Sequence, residues 1–396
     1  MSSQKEVLII GAGAIGCSIA YHLARQGVPS QIIERDSIGA RASGKSWAIW
    51  SYPPHLLGVS GVEVEPPVER WPMPSIERWI ELFWMGYHRL PDIALELKEK
   101  GGVDIGYGEL PFIFVTESET HVSRLKEHLS FIRNAGYYEG NWLDADDLRA
   151  IFPDINPQVR GGQSFPYLQV EPYEYTLGLA QAAEKMGASI RQGEVVGFRH
   201  KGSKVTSVIL ATGTEVEADV VVLAMGPWSG QGTSRLGKEI PIEIHKVQCI
   251  RVEVPERLPN YGFWASGGAI CPKVNGTVIL HGFRGLPGLQ QGFDSSLTEE
   301  GRTVSMEEGV KLLPRLGEAK IVEHRGDLEG WALNQMKPVL GLLPEWDNAY
   351  IAARMGTFGM MLSLGVGQVM ADLIVAGGRP PDPIKTMMEF LSPARL

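Results

Sequence analysis

Cysteine is scarce in this chain of 396 residues, which carries only three. Cys17, Cys249 and Cys271 lie far apart, and none forms a Cys-x-x-Cys pair or a Cys/His spacing typical of metal sites. A disulfide framework and a zinc centre are therefore not expected, and we predict no metal site. Isolated cysteines of this kind are typical of buried positions in a protein of a reducing compartment.

Positive charge is also in deficit, since 37 lysines and arginines stand against 46 aspartates and glutamates, for a net charge of −9. No stripe of basic residues is present to replace the counterions of a nucleic acid, so no nucleic-acid partner is expected. No apolar run reaches the length of a membrane span, and the first apolar run, Val7–Ile10, begins too early for a signal peptide to precede it. We predict a cytoplasmic protein, with peripheral membrane contact through an exposed loop left open.

A glycine-rich turn follows that first apolar run and leads into a helix-like segment. Gly11 would permit a tight turn, Gly13 would let a diphosphate approach the backbone, and Gly16 would let the helix pack on the strand. Glu34 ends a second apolar strand, where its carboxylate can accept both ribose hydroxyls of an adenosine. The pattern predicts a dinucleotide site; the alternative is a glycine-rich turn of an unrelated α/β domain.

The length of the chain and the order of its segments predict two domains. Residues 219–224 are apolar after Asp219, which suits a buried parallel strand, whereas residues 240–330 alternate as antiparallel strands do. We predict an α/β protein. Its Rossmann-like dinucleotide domain comprises residues 1–80, 146–235 and 325–396, and a discontinuous α+β substrate domain with a mostly antiparallel sheet comprises residues 81–145 and 236–324. The irregular stretch 52–74 is interpreted as a lid or channel wall, or as a surface excursion.

Six segments in series resemble the FAD-dependent oxidoreductases of the D-amino-acid oxidase type, in particular the branch of glycine oxidase, sarcosine oxidase and amino-acid dehydrogenases. They are the glycine turn with Glu34-Arg35 and the segments 41–44, 169–172, 224–229, 338–341 and 356–367. The resemblance covers nearly the whole chain and implies an FAD-binding domain with a non-covalently bound FAD. The cofactor-binding residues that it implies are Gly11, Gly13, Ala14, Ile15, Gly16, Glu34, Arg35, Ala42, Ser43, Trp47, Ala48, Ile49, Val196, Ala224, Gly226, Trp228, Gly356, Thr357, Phe358, Gly359, Met360 and Met361.

The substrate half departs from the family's pattern. Members that use amino acids hold the substrate carboxylate by arginine, and the two matching positions are here Gly330 and Thr357. The aspartate that usually precedes the Pro-x-x-Gly segment is replaced by Gln335. The remaining candidates for substrate contact or catalysis, placed by sequence neighbourhood alone, are His55, Trp264, His281, Arg284 and Lys337.

Three functions follow from these observations. The first is oxidation of a C–N bond of a small amine or N-substituted amino acid by hydride transfer to flavin N5, with oxygen or a quinone- or dye-type carrier as the electron acceptor. The second is oxidation of a C–OH bond of a hydroxy acid or other alcohol, which needs a base such as His281 or His55. The third is an NAD-binding module or a non-catalytic flavin carrier. A homo-oligomer is compatible with all three.

Overall fold

The computed structural model describes residues 6–57, 75–283, 289–290, 292–332, 337–382 and 384–396. The strands are β1 (Val7–Ile10), β2 (Ser30–Glu34), β3 (Ile49–Trp50), β4 (Gly108–Thr116), β5 (Asn141–Asp144), β6 (Gly161–Gln169), β7 (Ser189–Gln192), β8 (Val195–Lys201), β9 (Lys204–Leu210), β10 (Glu215–Glu217), β11 (Val220–Leu223), β12 (Glu243–Glu253), β13 (Gly262–Trp264), β14 (Gly268–Pro272), β15 (Val278–Gly282), β16 (Leu289–Gln290), β17 (Lys320–Trp331), β18 (Val339–Leu342) and β19 (Ala349–Ala353). The helices are α1 (Ala14–Arg25), α2 (Ala42–Lys45), α3 (Glu81–Glu96), α4 (Glu119–Asn134), α5 (Ala145–Ile151), α6 (Pro172–Lys185), α7 (Ser229–Ser234), α8 (Glu299–Leu312), α9 (Gly359–Val375) and α10 (Lys385–Leu391).

A six-stranded sheet in the order β18-β19-β11-β1-β2-β7 forms the centre of the first domain. All its neighbouring strands run parallel except β18 against β19. Strands β1, β11 and β19 are buried along their whole length, as the apolar residues on both faces predict. The predicted Rossmann-like architecture is confirmed, and the carboxyl ends of β1, β11 and β19 lie side by side at one edge.

A second, mostly antiparallel sheet follows the order β16-β12-β15-β14-β13-β4-β6-β3, with β17 on β12 and β5 on β6. Strands β13 and β4 form a parallel pair within it. Three of its strands, β3, β6 and most of β17, come from segments that the expected boundaries assign to the first domain. The pairing therefore puts residues 49–50, 161–169 and 325–331 in the second sheet, while β8, β9 and β10 form a small third sheet.

Helix α9 packs against α1 and α3 and is buried over most of its length. Together with the preceding 3₁₀ turn it forms a helical stretch, Gly356–Val375, that is long and apolar enough to cross a membrane by length and composition. The expectation that no apolar run has the length of a membrane span is therefore wrong. The polar residues Ser363, Gln368 and Asp372 are scattered along this stretch, and its mean hydropathy stays high in spite of them. The protein buries 72% of the most apolar window, as the core helix of a globular domain does.

Candidate active site

The glycine turn after β1 is built so closely that side chains are excluded at two positions. Gly11 has φ +111°, and a Cβ there would overlap the carbonyl oxygen of Ala224 at the end of β11. A Cβ at Gly16 would overlap the carbonyl oxygen of Gly11, because the first turn of α1 lies directly against the strand end. Only glycine at both positions lets strand, turn and helix meet as they do.

Two polar side chains complete this turn. The Glu34 carboxylate accepts the backbone N–H of Ala12 at 2.7 Å and that of Asp36 at 2.8 Å, which fixes it at the tip of β2. The Ser43 hydroxyl, carried by α2, accepts the backbone N–H of Ala14 at 2.9 Å, at the N-terminus of α1. Glu34 and Ser43 thus lie at either side of the position that a diphosphate would take.

A cavity extends from this turn to the N-terminus of α9. Arg35 and Trp228 stand together in its wall, with the guanidinium carbon 4.1 Å from the ring centre. The structure places fourteen of the predicted cofactor residues along this cavity: Gly11, Gly13, Ile15, Glu34, Arg35, Ala42, Ser43, Ala224, Gly226, Trp228, Gly356, Thr357, Gly359 and Met360.

The residues present fit an extended dinucleotide such as FAD. The N-termini of α1 and α9 both face the cavity and carry no acidic residue in their first turns. Because the Ala14 N–H already donates to Ser43, an anion would be bound by the N–H groups that follow it in α1 and by those at the start of α9. A Cβ at Gly226 would find no atom within 4 Å, which shows open space opposite the glycine turn. Glu34 would then hold the ribose, the start of α1 the diphosphate, and the start of α9 the flavin's pyrimidine edge.

The other predicted cofactor residues do not line this cavity. Ala14 and Gly16 lie behind the glycine turn, and Ala48, Ile49 and Met361 are buried nearby. The Val196 side chain is 40% exposed, and the neighbouring Val195 lines the cavity instead. Phe358 packs edge-on against Phe83 with ring centres 5.2 Å apart.

Trp47 lies between the two domains, in an aromatic cluster. Its ring centre is 4.8 Å from that of His281 and 5.9 Å from that of Trp264. The segment behind it is fixed by Lys273, whose buried ammonium donates to the carbonyl oxygens of Trp47 at 2.9 Å and Val170 at 2.7 Å. Sequence reasoning missed Lys273, because the Pro-Lys pair at the end of β14 gives no indication that the lysine side chain reaches the residues next to β3 and β6.

The two candidate histidines are buried among aromatic rings. Both nitrogens of His281 are buried without a hydrogen-bond partner in the described part of the chain, and burial lowers its pKa to about 3. His55 meets the Tyr167 hydroxyl through Nδ1 at 2.7 Å, and burial with His128 nearby lowers its pKa well below the usual value. Both rings are therefore neutral at physiological pH, and His281 is a weak base.

Of the two candidate cations, Arg284 lies outside the described residues. The Lys337 ammonium lies 3.6 Å from the ring centre of Phe390 in α10 and does not line the cavity. Burial, followed by the charges of Arg395, Arg78 and Arg354, lowers the pKa of Lys337 to about 8.

Strand β17 presents alternate side chains to the first domain. Arg325 donates to the carbonyl oxygens of Gly44 and Lys45, and Asp327 accepts the Lys45 ammonium at 2.9 Å. Glu329 continues this row, since strand residues two apart share a face, and it lines the cavity. It accepts the indole N–H of Trp331 at 3.1 Å, and burial raises its pKa to about 7.

Gly330, by contrast, has no room for the arginine that the resemblance implies. A Cβ at this position would lie 3.1 Å from Ile242 Cγ2 and 3.1 Å from Pro227 Cα. A longer side chain at residue 330 would therefore extend into packed protein. Of the β17 residues that line the cavity, Leu328, Glu329 and Gly330, the acidic one is Glu329. Sequence reasoning missed it, because the face of a strand residue depends on the pairing register with β12.

A third charged residue that sequence reasoning missed is Arg354, directly after β19. It has φ +63°, which is uncommon for a residue other than glycine, and it lines the cavity while being only 4% exposed. Burial and the charge of Arg395, opposed by Glu243, lower its pKa to about 10. No motif in the sequence distinguishes it from a surface arginine.

The fold and the cavity together define a two-domain dinucleotide-binding oxidoreductase, in which the cofactor cavity ends at the second sheet. Residues 6–373 match the profile of the family described as "DAO: FAD dependent oxidoreductase". The chain belongs to this family, and FAD is its cofactor.

Individual relatives agree. The chain is 26% identical over 379 residues to the glycine oxidase of Geobacillus kaustophilus, covering 94% of each protein. It is 22% identical to the mitochondrial sarcosine dehydrogenase of Mus musculus over 95% of this chain, which corresponds to 40% of that enzyme. Among solved structures, glycine oxidase from Bacillus cereus superposes with a TM-score of 0.82 at 26% identity over 97% of each chain. Iminodiacetate oxidase from Chelativorans, at 22% identity over 98% of each chain and a TM-score of 0.79, shares the fold.

Replacing Glu34 by glutamine is expected to weaken FAD binding by about 1–3 kcal/mol, because the amide loses the charge and presents a donor where two N–H groups now donate. The measurement is the Kd of FAD for the apoprotein by fluorescence quenching. Glu217→Gln, on the exposed face of β10, is the matched control. An affinity equal to that of the unmodified protein would place the ribose elsewhere.

Proposed function

We propose that this protein oxidises a C–N bond of a small amine or N-substituted amino acid, with FAD as the hydride acceptor. Its family membership supports oxidation of a small-molecule substrate by FAD. Relatives named glycine oxidase, D-amino acid dehydrogenase and sarcosine dehydrogenase support nitrogen-bearing donors. Bound FAD supplies the electron-accepting centre, and the protein's own groups bind, orient and desolvate the substrate.

The observation that carries the choice of bond is the weak basicity of His281 and His55, the two histidines that could have served as the base for an alcohol. An alcohol must lose its O–H proton to a base, and His281, with its pKa lowered to about 3, holds a proton too weakly for that role. An amine needs only to be deprotonated from the ammonium form. Its nitrogen lone pair then assists loss of hydride from the adjacent carbon.

Glu329 is the group that we assign to this deprotonation. Its carboxyl lines the cavity and has a pKa raised to about 7, so an approaching ammonium meets a carboxylate able to hold its proton near neutral pH. The bond from Trp331 fixes the orientation of the carboxyl group. The aromatic cluster of Trp47, Trp264 and His281 would keep water from the reacting carbon.

Three further features belong to this proposal. The electron acceptor is oxygen or a quinone- or dye-type carrier. The protein works in the cytoplasm, which the unpaired cysteines support. The boundaries that we propose are residues 1–80, 146–235 and 325–396 for the FAD-binding domain and residues 81–145 and 236–324 for the substrate domain, with β3, β6 and β17 reaching across them. Assembly as a homo-oligomer is compatible with this arrangement.

The test is anaerobic reduction of the flavin by a panel of donors. We expect bleaching of the visible absorption by secondary amines, and slow reaction with glycine and D-alanine, because the arginine positions of the family are Gly330 and Thr357 here. Admission of air or of a quinone then identifies the acceptor by the rate at which the colour returns. Reduction by hydroxy acids with no response to amines would establish alcohol oxidation instead, and efficient turnover of glycine would indicate an ordinary amino-acid oxidase.

A further inference from the structure

Ala48 has a backbone conformation that is uncommon for a residue with a side chain. Its φ is +52°, in the left-handed region, and the residue is only 2% exposed. A strained residue of this kind persists where its surroundings hold the peptide groups on either side of it, and such residues cluster at ligand sites. The groups that hold Ala48 are therefore informative about a ligand.

Both peptide groups that flank Ala48 are held by hydrogen bonds. The carbonyl oxygen of Trp47 accepts the Lys273 ammonium at 2.9 Å, and the carbonyl oxygen of Ala48 accepts the backbone N–H of Val170 at 3.0 Å. Lys273 also donates to the carbonyl oxygen of Val170 at 2.7 Å, so that one ammonium connects the residues next to β3 and β6. The lysine thus fixes the conformation of Ala48 from the side of the second sheet.

Burial makes this lysine unusual. Lys273 is only 2% exposed, and proteins seldom bury an ammonium completely, because its transfer from water is costly. Burial accordingly lowers the pKa of Lys273. An apolar side chain of similar length would fill the same space without this cost, so the two hydrogen bonds are what the lysine contributes.

The segment before Ala48 is held in the same way and follows the cofactor cavity. Arg325 of β17, which is 6% exposed, donates to the carbonyl oxygens of Gly44 and Lys45. Ser46 lines the cavity. The second sheet therefore binds three carbonyl groups of the segment 44–47 through two buried cations, at the place where this segment leaves the cavity wall.

The N–H group of Ala48 is available to a ligand. Because a trans peptide group directs its C=O and its N–H to opposite sides, the bond from Lys273 to the Trp47 carbonyl oxygen turns the Ala48 N–H away from β14. Within the described residues this N–H donates no hydrogen bond, whereas buried N–H groups in native proteins are nearly always paired. The family resemblance implies that Trp47, Ala48 and Ile49 contact the flavin, which would supply the missing acceptor.

We propose that Lys273 is a positioning residue for the flavin of bound FAD, and that it acts through the peptide group between Trp47 and Ala48. By holding the Trp47 carbonyl oxygen, the ammonium keeps Ala48 left-handed and its N–H directed at the flavin ring. A fixed N–H donor stabilises the negative charge that the ring gains on reduction, so Lys273 raises the reduction potential of the flavin. The inference concerns the cofactor and does not depend on which donor the protein oxidises.

The experiment measures the reduction potential of the flavin in the FAD-loaded protein by anaerobic equilibration with a reference dye, together with the Kd of FAD for the apoprotein. In Lys273→Met we expect the ratio of reduced to oxidised flavin at a fixed potential to fall by roughly 10-fold, which corresponds to a potential lower by about 30 mV for a two-electron couple. The Kd of FAD should rise by roughly 10-fold, as for one lost hydrogen bond.

Lys246→Met is the matched control. Lys246 is a second buried lysine, 5% exposed, which donates to the carbonyl oxygen of Ser296 at 3.0 Å and does not line the cavity. Its replacement should lower the melting temperature, as that of Lys273 does, and should leave the reduction potential and the Kd of FAD unchanged. An unchanged reduction potential in Lys273→Met would overturn the proposal.

Ala48→Gly separates an effect on the peptide group from a direct effect of the lysine's charge. Glycine adopts a positive φ without steric cost, so adding Ala48→Gly to Lys273→Met should restore most of the lost reduction potential. A potential that stays equally low with glycine would mean that the ammonium acts on the flavin by its charge alone, and the proposed route through Ala48 would be wrong.

Should Lys273→Met fail to fold, Lys273→Gln takes its place, because its shorter side chain keeps an N–H donor for one carbonyl oxygen. The same comparison, with and without Ala48→Gly, then decides. A lowered potential that glycine restores would support the proposal. A potential equal to that of the unmodified protein, or one that is lowered and not restored by glycine, would overturn it.

Discussion

Replacing Gly16 by alanine is expected to yield a protein that no longer holds FAD. The added Cβ would overlap the carbonyl oxygen of Gly11, so α1 must move away from β1 and the N–H groups at its start leave the diphosphate position. Overpacking of this kind costs about 1–3 kcal/mol in stability, and we expect the Kd of FAD to rise by roughly 100-fold or more. The measurement is the flavin content of the purified protein together with the Kd of the reloaded apoprotein.

Gly317→Ala is the matched control, since a Cβ there would meet a single atom, of Val310, at an ordinary 3.9 Å. It should purify with FAD and melt within a degree or two of the unmodified protein. Unchanged FAD affinity of Gly16→Ala would contradict this prediction. It would mean that α1 can move away from β1 without loss of binding, so that the N-terminus of α1 does not bind the diphosphate.

The glycine turn was predictable from sequence because all its determinants are local. Gly11, Gly13 and Gly16 lie within six residues, and the strand before them and the helix after them have distinct hydrophobic periods. Glu34 follows from the same βαβ unit. The predicted FAD-binding domain, with its parallel sheet, is therefore confirmed by the strand order and by the family match.

The charged residues at the far end of the cavity were not predictable in this way. Whether Glu329 or Gly330 faces the cofactor depends on the register between β17 and β12, which are about eighty residues apart in sequence. Lys273 acts through the carbonyl groups of Trp47 and Val170, which lie just outside β3 and β6. Arg354 is recognisable only by its burial and by its Nε and Nη1 atoms, which have no hydrogen-bond partner within the described residues. Such features come from tertiary packing, which neither the hydrophobic periodicity of the sequence nor a local motif encodes.

The second large effect is expected at Glu329. Glu329→Gln keeps the shape and the bond from Trp331 but cannot accept a proton, so kcat/KM with the best amine of the panel should fall by roughly 10²- to 10⁴-fold at pH 8. In the unmodified protein kcat/KM should rise with pH through about 7, as the carboxyl loses its proton. That rise should be missing from the variant. Glu217→Gln, on β10, should keep both the rate and the rise.

Two readouts separate this role from a structural one. The folded-state pKa of Glu329 lies above its unfolded value of 4.5, so the folded protein binds the proton more tightly, and stability falls as pH rises from about 4.5 to about 7. Glu329→Gln removes this loss, and the variant should therefore melt at a higher temperature than the unmodified apoprotein at pH 8 but not at pH 4.5. A misfolded variant would melt lower at both.

The pH profile itself decides which group loses the proton. With two amines whose ammonium pKa values differ, a limb set by Glu329 stays near pH 7, whereas a limb set by the substrate moves with the amine. A moving limb, or a Glu329→Gln enzyme with undiminished kcat/KM, would mean that the ammonium loses its proton to solvent before binding. Glu329 would then act on the substrate only through its negative charge. This charge lies next to Gly330, where the family resemblance implies an arginine and where packing leaves no room for one.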